Sequence, residues 1–215
     1  MLLLSGLLAG AAAFAAGIAR THRRWIVRFL AGLCTEVFRG TSALVMIFWV
    51  FFVLPLALGR QLVPMWAGTL ALGLTYGPYG AEIVRGALGA VDPAQREGGI
   101  ALGFTPWQRM RLILLPQAVP EMIPPFSNLL VELLKGTALV SVMGMGDLAF
   151  SGNLVRLALQ ESAEIHLYVL LLYFAIAFLL TRSMRGLERR LKAGAGTAPR
   201  KGTAAVRVPE GSGAA

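Results

Sequence analysis

The feature that most constrains this sequence is a series of long apolar runs without charged residues. The first, Leu2–Ala19, is uncharged for 18 residues, long enough for an α-helix to cross a bilayer's hydrocarbon core. Of the 215 residues, 56% are hydrophobic and 14% are charged, and soluble domains contain about 25% charged residues. Such a chain cannot hide its apolar surface in one water-soluble core. The sequence therefore predicts an all-α, polytopic membrane protein.

We expect about five transmembrane helices. Glycines and Pro78 indicate that the third span is broken or closely packed. Several prolines near the start of the fourth span predict irregular first turns that protein must shield from lipid. The four spans that we expect after Leu2–Ala19 are Ala43–Gly59, Met65–Ala81, Leu112–Leu134 and Ile165–Thr181.

The distribution of Lys and Arg predicts the orientation. If the N-terminus is outside, the inside segments are Arg20–Arg39, Arg85–Arg111 and the chain after Thr181. These segments hold five, four and eight of the 20 cations. Cytoplasmic segments of membrane proteins carry the excess of Lys and Arg, so the count predicts N-out and C-in. The outside segments keep Arg60, Lys135 and Arg156.

Other classes of protein are disfavoured by composition. The net charge of +9 would suggest nucleic acid in a soluble protein, but here the cations are clustered between apolar runs. Cys34 is the single cysteine, so no internal disulfide can form. His22 and His166 lack partners at ligand spacing, and we expect no metal. No Gly-x-x-x-x-Gly-Lys-Ser/Thr loop is present, so we expect this chain neither to bind nor to hydrolyse ATP. We expect no other cofactor.

The two ends of the chain have separate interpretations. Leu2–Leu8 followed by Ala13-Phe14-Ala15 also resembles a cleaved signal peptide. No cation precedes the apolar run, however, and Arg20 follows it, which favours a retained span. We expect residues 1–192 to form one transmembrane domain. Residues 193–215 are rich in Gly, Ala, Thr and Pro, and we expect a disordered cytoplasmic tail.

A polar loop between the third and fourth spans contains two helix starts. Asp92-Pro93 is typical of an N-cap and first helical residue, and Gly103 would end that helix. Thr105-Pro106 repeats the pattern and predicts a second short helix. The loop would then protrude from the spans as two short helices joined at Gly103. Amphipathic helices lying on lipid headgroups are the alternative, and the capping pattern leaves both open.

The same loop carries a motif with regular spacing. Glu97-Gly98-Gly99 is followed after three residues by Gly103 and, nine residues later, by Ile113-Leu114-Leu115-Pro116. This pattern resembles the "EAA" loop of importer-type ABC transporter permeases. Further blocks resemble the polar-amino-acid uptake branch, which includes histidine and glutamine permeases. They are Phe38-Arg39-Gly40-Thr41, Tyr79-Gly80-Ala81-Glu82-Ile83-Val84-Arg85-Gly86, Leu115-Pro116-Gln117-Ala118, Asn128-Leu129-Leu130 and Glu132-Leu133-Leu134-Lys135-Gly136-Thr137.

The resemblance implies a permease subunit of an ATP-driven importer in the bacterial inner membrane, and not an enzyme. It implies that the loop forms coupling helices seated in an ATPase subunit, with Glu97 at the interface and Gly103 as the corner. The implied partners are two ATPase subunits that bind the ATP, a second permease chain, identical or paralogous, and an extracytoplasmic solute-binding protein. The implied solute is a polar amino acid or an amino-acid-like compound.

The sequence departs from the family pattern at three places. Gly98 and Gly99 replace two alanines, which costs about 1 kcal/mol of helix propensity each and predicts a softer loop. The segments Arg39-Gly40-Thr41-Ser42 and Lys135-Gly136-Thr137-Ala138 also differ from the usual sequences. Both resemble the ectoine and hydroxyectoine permeases within this branch.

Charged residues beside the spans allow two interpretations. Glu82 and Arg85 are three residues apart, as are Glu132 and Lys135, so each pair can meet on one helical face. They are either structural ion pairs or residues along the substrate path, and we favour ion pairs because both lie near predicted interfaces. Asn128 likewise either lies along the substrate path or makes a hydrogen bond that packs two helices together. Asp147 is expected to cap an outside helix running through Leu157.

Two other functional classes make different demands on the sequence. A stand-alone secondary transporter or channel would need an ion or proton relay in mid-span, and none is visible. A membrane-embedded enzyme would need His, Cys or carboxylate pairs at catalytic spacing within the spans.

Overall fold

The described part of the chain is built from helices. The computed structural model describes residues 1–194, and no strand occurs among them. Two π-helical segments, Trp49–Val53 and Met110–Leu114, and a 3-10 turn, Ser141–Met143, join helices end to end. The α-helices are α1 Leu2–Ala19, α2 Trp25–Gly40, α3 Ala43–Phe48, α4 Leu54–Leu58, α5 Pro64–Ala90, α6 Pro93–Ala101, α7 Pro106–Arg109, α8 Leu115–Val140, α9 Leu148–Leu159 and α10 Ser162–Gly194.

Both π-helical segments end two residues before a proline. Trp49–Val53 precedes Pro55, and Met110–Leu114 precedes Pro116. Proline has no N–H to donate, and its ring clashes with the carbonyl four residues earlier, so the helix widens by one residue there. The irregular first turns expected in the fourth span are therefore present.

The third span was expected to be either broken or closely packed. Helix α5 is continuous through Pro78 and closely packed, so the second alternative is confirmed and the first is wrong. Helix α1 runs beside it in the same direction. A Cβ atom on Gly80 would lie 2.6 Å from the Cβ of Ala13, and one on Gly17 would lie 2.6 Å from the Cβ of Val84. Only hydrogen fits at these positions, so the two backbones approach closely. This packing along α5 favours the interpretation of α1 as a retained span.

Helix α8 runs antiparallel to α5. Near the start of α5, Gly68 lies beside Val140, and further along it Gly80 lies beside Phe126. Helix α10 in turn runs antiparallel to α8, because Lys192 near its end lies 4.0 Å from Glu121. The helices α1, α5 and α10 thus point one way and α8 the other, as the predicted alternation of spans requires.

The capping prediction for Asp147 is partly wrong. Asp147 occupies the N-cap position of α9, but its side chain accepts no hydrogen bond from the backbone of that helix. Its carboxylate accepts one from the hydroxyl of Tyr173 on α10, at 2.9 Å. The residue therefore fastens the start of α9 to α10.

Three described helical stretches are long and apolar enough to cross a membrane: Leu2–Ala19, Pro106–Met143 and Ser162–Lys192. The helix pair Trp25–Arg39 and Ala43–Leu58 would be a fourth span, bent by 99° at its break. Helix α5 is 27 residues long but is not in this set. The count of five spans and the N-out orientation stay predictions.

Several expected boundaries move. Helix α5 continues past Ala81 to Ala90, so the loop begins there and not at Arg85. Helix α8 continues past Leu134 to Val140, so Lys135 lies within this helix and not after its end. Helix α10 takes in the first two residues of the expected tail, and the rest of that tail lies outside the described residues.

Buried apolar side chains form two clusters along α5. The first surrounds Ile47 and Leu72 near the start of α5, and the second surrounds Leu88 and Ala118 near its end. Between them on α5, Thr75, Tyr76 and Tyr79 border the cavity described below.

Candidate functional site

The polar loop has the two-helix form that its capping residues predict. The carboxylate of Asp92 accepts a hydrogen bond from the backbone N–H of Ala94 at 2.9 Å. Thr105 and Gln108 form a reciprocal capping box at the start of α7. Between the helices, Gly103 has a φ of +74°, a conformation that favours glycine. The second helix continues through the π-helical segment into α8, so the loop and that long helix are joined without an irregular connection.

The loop is fastened to the spans on both sides. The guanidinium of Arg96 donates a hydrogen bond to the backbone carbonyl of Leu88 on α5, at 2.6 Å. Gly99 is buried, and a Cβ there would lie 2.8 Å from the Cδ1 of Ile113. Glycine at this position permits close packing of α6 on the start of α8. At Gly99 this packing offsets the loss of helix propensity that predicted a softer loop. At Gly98 no such packing exists, because a Cβ there would meet open space.

The outer side of the loop exposes a carboxylate among apolar side chains. Glu97 is exposed and makes no hydrogen bond or ion pair within residues 1–194. Ile100, Leu102 and Trp107 are 59%, 72% and 67% exposed. We call these four residues the loop surface. Exposed apolar side chains around one charge suit docking to another protein. Pro116 is also exposed, two residues after the π-helical segment.

An ion cluster joins the end of α1 to α2 and α5. Glu82 forms ion pairs with Arg20 and, at 2.8 Å, with Arg85. Arg39 lies 3.9 Å from the same carboxylate, and it also contacts Glu36 at 3.4 Å. Glu82 and Arg85 are thus an ion pair, the interpretation that their spacing favours, and the carboxylate of Glu82 holds three helices together.

The ion pair expected between Glu132 and Lys135 does not form. Within the described residues neither side chain has an ion-pair partner, and both are exposed on α8. Both line a cavity of about 720 Å³ that is bounded by α5, α8 and the junction of α2 with α3. The other residues that line it are Arg39, Gly40, Thr41, Ser42, Ala43, Thr75, Tyr76, Tyr79, Gly136 and Leu139.

Tyrosine and arginine side chains shape the cavity wall. The guanidinium of Arg39 lies over the ring of Tyr79, 5.4 Å from its centre. The hydroxyl of Tyr79 donates a hydrogen bond to the backbone carbonyl of Arg39 at 3.2 Å. Arg39 thus belongs to both the cavity and the ion cluster. Sequence reasoning quoted Arg39 and Tyr79 only within the blocks that resemble the permease branch and gave neither a role in a cavity.

One face of α8 carries a polar stripe. Glu121, Asn128, Glu132 and Lys135 follow helical spacing along it, and all four are exposed. Asn128 makes no hydrogen bond in the part of the chain that the structure describes, so it does not pack helices of this chain together. The stripe passes into the cavity through Glu132 and Lys135.

Comparisons with known proteins decide the class of this chain. The model of the family described as "binding-protein-dependent transport system inner membrane component" matches residues 8–193. The chain belongs to this family. It is therefore an inner-membrane permease component of a binding-protein-dependent transport system, a transport subunit and not an enzyme.

Individual relatives agree with this membership. The chain is 46% identical over 180 residues to a probable amino-acid ABC transporter permease, y4tF, of Sinorhizobium fredii (strain NBRC 101917 / NGR234), covering 81% of this chain and 76% of the relative. It is 35% identical over 178 residues to the glutamine transport system permease GlnP of Escherichia coli (strain K12), covering 82% and 81%.

Solved structures show the same fold. The chain is similar to a crystal structure of an amino acid ABC transporter with histidines, with a TM-score of 0.79, 26% identity and 88% coverage of both chains. It also resembles the methionine transporter MetNI in an inward-facing form, with a TM-score of 0.78 and 20% identity, covering 89% of this chain and 91% of the other. The fold is thus that of the type I ABC importer permeases.

Proposed function

We propose that this permease forms, together with a second permease chain, the membrane pathway for an amino-acid-like zwitterion. The cavity between α5, α8 and the α2–α3 junction holds the solute during its passage. One observation carries this proposal: Glu132 and Lys135 line the cavity as charges of opposite sign that do not neutralise each other.

Two unpaired charges of opposite sign suit a zwitterion. The ammonium of Lys135 attracts a carboxylate, and the carboxylate of Glu132 attracts a cation. Such interactions gain strength where water is partly excluded, as in a cavity within a membrane. A solute with only one charge would leave the other side chain without a partner. The names of the relatives, an amino-acid permease and a glutamine permease, support a solute of this class.

The polar stripe supports a second permease chain. A charged side chain exposed to the centre of a bilayer costs about 2.5–3.5 kcal/mol on insertion scales. Glu132 and Lys135 are exposed on α8, so contact with lipid would cost each of them a part of this free energy that grows toward the bilayer centre. A second chain, identical or paralogous, would cover the stripe and enclose an aqueous path.

We propose that the loop surface docks on a separate ATPase subunit, which binds the ATP. Closure of that subunit would move the loop, and the continuous helix from α7 into α8 would pass the movement to the cavity. The resulting motion is a rigid-body rocking of packed helices. An extracytoplasmic binding protein would deliver the solute on the opposite side, close to α9.

The cavity is tested by uptake into liposomes that contain the complete transporter. Glu132→Gln and Lys135→Gln should each reduce uptake by about tenfold or more, because each removes one charge that holds the solute, the loss of about 1.4 kcal/mol. The control is Glu164→Gln, an exposed carboxylate at the start of α10 and outside the cavity, with an expected change below twofold. Unchanged uptake in both cavity variants would show that the solute passes elsewhere.

The docking of the loop is tested by co-purification of the ATPase subunit. Glu97→Lys should reduce both recovery of the ATPase and ATP-dependent uptake, because it reverses the one charge of the loop surface. Glu164→Lys, an exposed carboxylate at the start of α10, is the control. If assembly and ATP-driven uptake both survive Glu97→Lys, the docking role is wrong. Uptake without any ATPase would favour a secondary transporter instead.

A further inference from the structure

One exposed face of α10 changes from aromatic to cationic side chains at a single point. Phe174 and Phe178 are 66% and 55% exposed, and their rings stack with centroids 6.3 Å apart. Arg182, Arg185 and Arg189 follow on the same side of the helix, because they come at steps of four, three and four residues after Phe178. All three arginines are exposed. We call these five residues the α10 face.

The change falls where the helix would leave the hydrocarbon core of a bilayer. Residues 165–181 contain no Asp, Glu, Lys or Arg. At 1.5 Å per residue this uncharged stretch is about 25 Å long, close to the core thickness of about 30 Å. Arg182 follows directly, so the guanidinium groups of the α10 face lie at the level of the lipid headgroups. The two aromatic rings lie on the hydrocarbon side of them.

The aromatic and cationic parts of the α10 face share a groove. A shallow depression of about 230 Å³ is lined by Phe174, Ala177, Phe178, Thr181, Arg182 and Arg185. The guanidinium of Arg182 lies over the ring of Phe178, 5.7 Å from its centre. A second depression, of about 400 Å³, continues from Arg185 and is lined also by Glu188, Arg189 and Lys192. Glu188 does not neutralise the arginines, because its carboxylate is paired with Lys192 at 2.9 Å.

The three arginines have no acidic partner in the described part of the chain. The ion pairs within residues 1–194 include none of Arg182, Arg185 and Arg189. A guanidinium presents several N–H donors in one plane, and it binds phosphate oxygens through two hydrogen bonds at once. Basic pockets at the membrane surface bind the headgroups of anionic lipids in this way. The chemistry of the α10 face therefore fits a phosphate group attached to an apolar tail.

We propose that the α10 face binds an anionic phospholipid of the phosphatidylglycerol type. The phosphate of the lipid binds Arg182 and Arg185, and one acyl chain lies along Phe174 and Phe178. The aromatic half of the groove favours a lipid over a free phosphate ion, which would gain nothing from apolar contact. The site is separate from the solute cavity, since no residue of α10 lines that cavity.

The test is retention of lipid by the complete transporter. The transporter is reconstituted in equal amounts of phosphatidylglycerol and phosphatidylcholine with the same acyl chains, extracted in detergent and washed. The lipids that remain bound are then quantified by mass spectrometry. We expect phosphatidylglycerol to be enriched at least about fivefold, because a single arginine beside an anionic lipid surface favours binding by about that factor. Absence of enrichment would overturn the proposal.

Variants locate the bound lipid. Arg182→Gln combined with Arg185→Gln should reduce the enrichment at least about fivefold. The matched control combines Arg60→Gln with Arg190→Gln, which removes the same net charge at two exposed arginines outside both depressions. We expect the control to keep its enrichment within about twofold of the wild-type protein. Equal thermal unfolding of the two double variants excludes a loss of fold as the cause.

Other occupants of the α10 face give different results. An equal loss of enrichment in both double variants would show that retention follows net charge alone, and the site would be wrong. Unchanged enrichment with lower recovery of a protein subunit in Arg182→Gln/Arg185→Gln would show that this face docks a protein instead. Displacement of the lipid by millimolar glycerol 3-phosphate would show a site for free phosphate and contradict the role of the aromatic groove.

Discussion

The guanidinium of Arg20, directly after α1, forms an ion pair with the carboxylate of Glu82 on α5. Their side chains are only 15% and 20% exposed. The two residues are far apart in the chain, and they meet because α1 and α5 run side by side in the same direction. The hydroxyl of Thr35 on α2 accepts a hydrogen bond from the same guanidinium at 2.9 Å, so the pair also fixes α2.

Removing the charge of Glu82 should destabilise the permease. Glu82→Gln leaves Arg20 and Arg85 without their shared carboxylate, and we expect the free energy of unfolding to fall by about 1.5–3 kcal/mol, the range for hydrogen bonds to charged groups. Thermal unfolding in detergent measures it. Glu36→Gln is the control, because Glu36 is 61% exposed and its contact with Arg39 is longer, 3.4 Å. An equal effect of both variants would show that Glu82 does not organise the cluster.

The close approach of α1 to α5 predicts opposite effects for two glycines of one helix. Gly80→Ala should destabilise by about 1–3 kcal/mol, because the new methyl group collides with Ala13 and the helices must separate. Gly86→Ala meets open space and should stabilise by about 0.5–1 kcal/mol, since alanine loses less backbone entropy in a helix. The measurement is thermal unfolding of both variants under the same conditions. If Gly80→Ala stabilised the protein, the close contact between α1 and α5 at Gly80 would be wrong.

The loop offers a similar pair of neighbouring glycines. Gly99→Val should push α6 away from Ile113 and Arg109, raising the rate at which protease cuts the loop in the isolated permease. Gly98→Val adds the same side chain in open space and should leave the cleavage rate nearly unchanged. The same rate for both variants would mean that the packing at Gly99 does not hold the loop in place.

The predicted orientation can be tested by labelling single cysteines in intact cells. Cys34→Ala removes the only cysteine, and this background should not react. Arg156→Cys should then react with a membrane-impermeant maleimide from outside. Arg190→Cys should react only after the membrane is opened, because the cation count places the end of α10 inside. The reverse pattern would show that the N-terminus is inside.

Much of the loop could be predicted from the sequence, because its structure depends on neighbouring residues. Asp92 and Thr105 cap the helices that follow them, and Gly103 turns the chain between them. These effects act within a few residues, so the order of residue types suffices.

The cavity could not be predicted in the same way. Glu132 and Lys135 have the spacing of an ion pair on one helix, and nothing local distinguishes a pair from two separate charges. The folded chain shows them as two separate charges on the wall of a cavity, which residues of a neighbouring helix such as Tyr76 also line. The role of Arg39 depends likewise on Tyr79, which comes from another helix.

The sequence by itself determined that the chain is helical and membrane-embedded, where the two loop helices begin and where the loop turns, because hydropathy and capping are properties of short segments. The tertiary structure decided which charges are paired and which stand free. That outcome depends on helices that are distant in sequence, and glycines such as Gly80 and Gly136 set how closely those helices approach. Van der Waals contact between such segments has no local signature, so only the folded chain shows it.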